Sequence, residues 1–366
     1  MTTTINGNLD VKGTVSSYVD TSLTSLPENQ VSTFGSLTGT EKFQGGVLGV
    51  DNKIYCMPAQ STFVLVIDPV TNTVDTTTYT GLPTNFQNYG GVVGPNGKIY
   101  GVPSLARYVL IIDPVAKTLN TTTITFVFAG IAAYAGGVLA PNGKIYMIPR
   151  SATSVAIINP SNDTGDFTTI SGLNSLTEKW YGGVLAPNGK IYGIPHDSTS
   201  VLIIDPVTNT VDTSTISGIP GLPFVAGKWA GGVLAPNGKI YCIPRTSTSV
   251  LIIDTITNTY NTTKISNLPT GSTFWFGGVL APNGKIYGIP KNAPYVLIID
   301  PATDTADITT LSGFPNAGSN NKFHGGVLAP NGKVYCVPYS SSSVMTINTG
   351  LSNFPSWMLK PQFNKF

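Results

Sequence analysis

The pair Gly-Gly returns at Gly45, Gly90, Gly136, Gly182, Gly231, Gly277 and Gly325, at intervals of 45, 46, 46, 49, 46 and 48 residues. A repeat of this length matches a four-stranded propeller blade, whereas most helical solenoid repeats are shorter. A repeating unit cannot bury its apolar face alone and must stack against its neighbours. Seven copies therefore predict an all-β chain folded as a seven-bladed β-propeller of four-stranded blades.

Residues 182 to 216, GGVLAPNGKIYGIPHDSTSVLIIDPVTNTVDTSTI, show the grammar of one unit. Strand A is expected at Gly183 to Ala186, turned by Pro187-Asn188-Gly189 into strand B at Lys190 to Ile194, because Asn-Gly tolerates the positive φ of a tight hairpin. Strand C is expected at Val201 to Ile204, with a turn through Asp205-Pro206 and Thr208-Asn209 into strand D near Val211 to Ile216. Pro cannot donate to a ladder, and Asn or Asp closes a turn with its side chain. No segment has a sustained helical period.

The seventh unit runs out at Ser343 to Asn348 without a Thr-rich strand D. Phe34, in Gln30 to Phe34, lies 11 residues before Gly45, as Tyr79 lies 11 before Gly90. This N-terminal strand is expected to complete the last blade and close the ring, leaving no open edges. The chain then divides into a stalk at 1–29, a propeller at 30–350 and a tail at 351–366.

Of 366 residues 41% are hydrophobic, which excludes a disordered chain. A formal charge of +2 gives no field that would make nucleic acid the default partner. No apolar run of about 18 residues is present and the first residues are neither basic nor apolar, so neither membrane insertion nor general secretion is expected.

The segment KIYGIPHDSTSVLIIDPVTNTVDTSTI resembles the YVTN-type β-propeller repeat of surface-layer and related proteins, through its Tyr-containing strand and its Ile-Asp-Pro-x-Thr-Asn-Thr hairpin. The resemblance covers roughly residues 30 to 350 and implies the fold. Two departures are the Ile-Tyr-Gly-Ile-Pro strand and the Asn159-Pro160-Ser161-Asn162 turn. Residues 5 to 15, INGNLDVKGTV, are similar to the Gly-Asn-Leu-x-Val-x-Gly-Thr elements at attachment ends of phage tail fibres, which are commonly trimeric. Ile5, Leu9, Val11 and Val15 cannot bury themselves in one copy. The resemblance implies a homotrimer held to other virion proteins through this segment.

Chemistry is sparse. Cys56, Cys242 and Cys336 share one repeat position, occupied by Gly or Met in other blades, and read as packing residues. His196 and His324 are the only histidines and fall in different blades, so no transition-metal cluster is expected. Acidic residues occupy turn positions, from Asp68 to Asp307, where they cap backbone amides. No strand A carries a carboxylate, so no metal, cofactor or catalytic residue is assigned. The hairpin lysines, from Lys53 to Lys333, are expected to pair within their blades or to be solvated.

At the opposite end, aromatics precede each Gly-Gly: Phe43, Tyr134, Trp180, Trp229, Trp275 and Phe323, with Tyr89 one position later. Lys42, Lys179, Lys228 and Lys322 stand one residue before this position, and burial of the lysines and arginines here would need partners that the sequence does not supply. The B–C loops begin with Arg150, His196, Arg245 and Lys291, and Arg107 lies nearby in blade two. Aromatic planes beside guanidinium groups suit an anionic sugar. Arg107, Arg150, His196, Arg245, Lys291, Trp180, Trp229 and Trp275 are the expected ligand-binding residues, although the aromatics also fit inter-blade packing. The expectation is a non-enzymatic, virion-surface binding protein for a host-surface glycan. A structural spacer and a lyase- or lactonase-like propeller enzyme are the alternatives.

Overall fold

A computed structural model describes residues 29–84, 87–125, 132–220, 227–269 and 273–350. The proposed stalk, except residue 29, and the tail at 351–366 lie outside the described residues, as do the trimer and attachment expectations that rest on them.

Seven antiparallel four-stranded sheets form the ring, and strand A of each sheet contacts strand A of the next. In blade four the strands are Trp180–Leu185, Ile191–Pro195, Leu202–Asp205 and Thr210–Asp212. Strand D is shorter than its sequence suggests. Asp212 accepts from the amides of Ser214 and Thr215, which closes a turn as soon as the strand has begun. The last blade is completed from the N-terminus as expected: Gln30–Phe34 pairs with Val344–Asn348, with Phe34 opposite Val344.

The two glycines of the repeat do different work. Gly182 adopts φ 77° where the A–B register shifts between Trp180 and Gly183. Gly183 leaves no room for a side chain, because a Cβ there would lie 2.6 Å from Ile148 Cδ1 in the preceding blade. The first glycine makes the bulge and the second lets neighbouring blades close.

The A–B turn differs from the sequence reading. Gly189 alone takes positive φ, at 79°, while the Asn188 amide group reaches out of the turn to the Tyr192 hydroxyl at 2.9 Å and the Thr255 carbonyl of the next blade at 3.1 Å. Tyr192 donates to Asn258 Oδ1 of that blade at 2.9 Å. This latch recurs from Tyr146 to Asn209 at 2.7 Å, from Tyr241 to Asp304 at 2.5 Å and from Tyr100 to Asp163. It also closes the ring from Tyr335 to Asn72 at 2.9 Å. The Tyr and Thr-Asn-Thr signatures are thus two halves of one inter-blade contact.

The turn carboxylates cap amides as expected, for example Asp205 with Val207 at 2.9 Å. Lys53, Lys190 and Lys239 pair with the Asp of their own C–D turn at 3.4, 3.6 and 3.5 Å, but Lys98 reaches Asp163 of the next blade at 2.7 Å. The three cysteines are buried and unpaired, in keeping with a packing role.

Candidate functional site at the mouth of the channel

A belt of backbone hydrogen bonds surrounds the end of the ring where B–C loops meet the segments entering strand A. Within blade four, His196 donates to the Lys179 carbonyl at 2.9 Å, and Lys228 of the next blade donates to the His196 carbonyl at 3.0 Å. The alternation runs from Gln87 through Ser104, Ala133, Arg150 and onward to Tyr339, Lys42 and Ala59. One residue per blade, directly after the strand-B proline, is therefore held at an equivalent place above the axis: Ala59, Ser104, Arg150, His196, Arg245, Lys291 and Tyr339.

Beneath this circle lies a second, from the residue before each Gly-Gly: Gln44, Tyr89, Ala135, Tyr181, Ala230, Phe276 and His324. Its large members touch one another, Tyr89, Tyr181 and Phe276 from alternate blades and His324 from the blade beside that of Phe276. Tyr181 meets Tyr89 edge to face at 5.5 Å and Phe276 at 5.8 Å. His324 stacks on Phe276 at 3.4 Å and lies 5.8 Å from Tyr89. Ala135 and Ala230 leave room for the larger rings to meet. The channel is floored by an aromatic plug.

The cations of the upper circle lie over this floor. The Arg150 guanidinium sits 5.0 Å from the Tyr89 ring centre and 4.8 Å from that of Tyr181, and it bonds Glu178. His196 stacks on Tyr181 at 4.3 Å, with Nδ1 3.0 Å from an Asp197 oxygen. The Lys291 ammonium is 5.3 Å from both the Phe276 and Tyr339 rings. Arg245 occupies space kept open by Gly227, where any side chain would collide with its guanidinium.

The charges act on one another. Burial pushes the His324 imidazole well below its usual range, and Lys291, Arg245 and Arg150 push it further the same way. Burial, followed by Arg245, brings Lys291 down to about 8, against an opposing pull from Glu41. His196 is lowered mainly by burial, although Asp197 and Glu178 oppose the shift. Both histidines are therefore neutral near pH 7.

Four expected site residues, Arg150, His196, Arg245 and Lys291, are brought together. Arg107 is exposed on the blade-two loop and makes none of the ring contacts that organise the other four. Trp180, Trp229 and Trp275 require a correction. They are 1%, 2% and 0% exposed, and their indole N–H groups donate to Ser200, Ser249 and Tyr295 carbonyls. They pack between blades and offer no face to a sugar.

The buried lysines also find partners that the sequence does not display. Lys179 Nζ donates to the Ala152 and Leu176 carbonyls, Lys228 to Ser198, and Lys322 to Ala317 and Ser319. Backbone oxygen replaces the carboxylates that burial would otherwise require. Sequence reasoning missed Tyr89, Tyr181, Phe276, His324 and Tyr339 as site residues. For the first four the available signal was variation at one register position, where Gln, Tyr, Ala, Phe and His all occur within an otherwise regular repeat; Tyr339 stands instead at the position after the strand-B proline.

No family model matches the chain, and no curated protein matches it by sequence. Solved structures do match. A streptogramin B lyase is 13% identical with a TM-score of 0.71, covering 88% of this chain and 98% of its own. Virginiamycin B lyase from Staphylococcus aureus is 10% identical with a TM-score of 0.70, covering 88% and 99%. The extracellular domain of a two-component-system protein from B. thetaiotaomicron is 9% identical with a TM-score of 0.64, covering 88% of this chain and 42% of that one. At these identities the likeness defines the class of protein, a seven-bladed β-propeller, and goes no further.

Proposed function

We propose that the chain is a non-enzymatic binding module that takes an anionic glycan at the floored mouth of the propeller. The observation that carries this reading is the convergence of Arg150, Arg245 and Lys291 near buried His324, whose charged neighbours are all cations. The partly exposed Tyr89 ring supplies apolar surface for a sugar, and two arginines supply forked donors for its acidic group. Glu178 neutralises part of Arg150, so Arg245 and Lys291 carry most of the attraction.

The placement of the chain ends agrees with a displayed module. Asn29 donates to the Asn348 carbonyl at 3.0 Å, and Thr349 bonds Gly332 in the A–B hairpin at 2.6 Å. Both ends of the propeller thus leave from the hairpin face, opposite the mouth. Residues 1–28 as a trimeric virion attachment segment, and a host-surface location for the glycan, belong to the same proposal.

An array of acidic and neutral glycans tests it. Acidic glycans should be retained, and Arg150→Ala with Arg245→Ala should weaken binding by roughly thirtyfold per anchoring arginine while the fold persists. Full binding by the double variant would remove the mouth from consideration. A channel-mouth enzyme is the second reading, favoured by the His196 and Asp197 contact at 3.0 Å. Release of a new product from a bound glycan would decide for it.

A further inference from the structure

Lys291 differs from the other buried lysines in what surrounds its amine. Lys42, Lys179, Lys228 and Lys322 each spend their ammonium on backbone carbonyls. Lys291 holds its Nζ between two ring faces, 5.3 Å from each, at the mouth, and its side chain is half-buried. The charged and titratable groups around it are Arg150, Arg245, Glu41, His324 and Tyr339. Two of the three charged neighbours are guanidiniums, so desolvation and like charge both favour the neutral amine, while the rings and Glu41 oppose them.

We propose that Lys291 is a nucleophilic amine that condenses with the carbonyl of a small oxo-acid, whose carboxylate is held by Arg245 and Arg150. The Nζ lone pair forms a bond to the carbonyl carbon, and the C=O π pair moves to oxygen, which takes a proton. Nitrogen loses a proton to solvent, giving a carbinolamine. Loss of water then leaves a C=N bond, so amine and carbonyl become imine and water with no change in oxidation state. The lowered Lys291 pKa, about 8, leaves an appreciable neutral fraction near neutrality. The proposal rests on the anion-binding reading only for the place of the carboxylate.

Glyoxylate with cyanoborohydride, applied to the full chain near neutral pH, would reduce the imine to a stable carboxymethyl group readable by peptide mapping. Lys291 should be labelled roughly tenfold or more faster than exposed Lys117, with the step lost in Lys291→Arg. Arg150→Ala with Arg245→Ala should lower the ratio of glyoxylate to propionaldehyde labelling at Lys291 by about fivefold or more. Labelling of Lys291 no faster than Lys117 would overturn the proposal, as would an unchanged aldehyde ratio. Selective labelling in a protein that binds no acidic glycan would sink the glycan reading while leaving the amine in place.

Discussion

Tyr89 and Tyr181 meet edge to face at 5.5 Å although they belong to blades two and four. The intervening blade carries Ala135 at the same position, and that small side chain is the reason the two rings can touch. Arg150 then rests on both rings at once, so one pair of tyrosines fixes the floor and orients a cation above it. Rings from separate blades also tie distant parts of the circle together, which adds to the pairwise contacts between adjacent blades.

Tyr181→Ala should cost stability and binding together. The ring is 4% exposed and contacts Tyr89, Phe276, His196 and Arg150. A buried aromatic truncated to Ala costs about 3–5 kcal/mol, visible as a lowered denaturation midpoint. Tyr181→Phe keeps the stacking surface and should retain most of both properties. Equal behaviour of the two variants would count against a stacking floor.

Trp180→Ala and Trp229→Ala should act on stability first. Each indole fills the space between blades, and each loss leaves a cavity and removes the indole donor from a carbonyl, that of Ser249 in blade five and that of Ser200, which keeps its bond from Ser198 Oγ, in blade four. A drop of about 3–5 kcal/mol is expected. Any residual folded protein should still bind through the mouth. Unchanged melting would place the tryptophans back among the ligand-contacting residues.

The blade count and the Asp-capped C–D turns are legible in the sequence because they are local signals that recur around the ring, and the closing strand because the last repeat lacks one. The A–B turn is less so, since positive φ falls to Gly189 alone. The aromatics before Gly-Gly are harder to assign, since Trp180 looks the same in sequence whether it packs or binds. Its neighbour Tyr181 decides the site and breaks no local rule. The difference lies in the bulge at Gly182, which turns one residue between blades and the next toward the axis. The pairing of Lys179 with backbone carbonyls is equally invisible, because a carbonyl acceptor leaves no mark on composition. Tyr192 and Asn258 read as separate strand and turn signals, and only the ring brings them together at 2.9 Å.

Closure by the N-terminal strand predicts that two truncations will differ. Removing residues 1–28 leaves Gln30–Phe34 in place, whereas removing 1–38 takes away that strand, the Phe34 contact with Tyr335 at 6.1 Å and Leu37 from the core. The longer deletion exposes the edge of Val344–Asn348 and should melt well below the shorter one. Identical melting curves would show that the ring does not depend on this strand.

His324 should make stability depend on pH between about 7 and 5. The imidazole is 1% exposed, stacked on Phe276 at 3.4 Å and on Tyr339 at 5.0 Å, and faces Lys291, Arg245 and Arg150. Its folded pKa lies below the value of 6.5 that the unfolded chain approaches. Above pH 6.5 both states are neutral there, and the stability is fully present. As pH falls further, the unfolded chain takes up a proton first, so stability declines by up to about 1.4 kcal/mol per pH unit for this one group. His196 is shifted in the same direction and adds to the slope. His324→Phe keeps a ring in the stack and removes the proton, so denaturation midpoints between pH 7 and 5 should flatten relative to the parent. A slope that survives in that variant and vanishes in His196→Phe would transfer the effect to His196, whose Asp197 partner makes it the easier of the two to protonate.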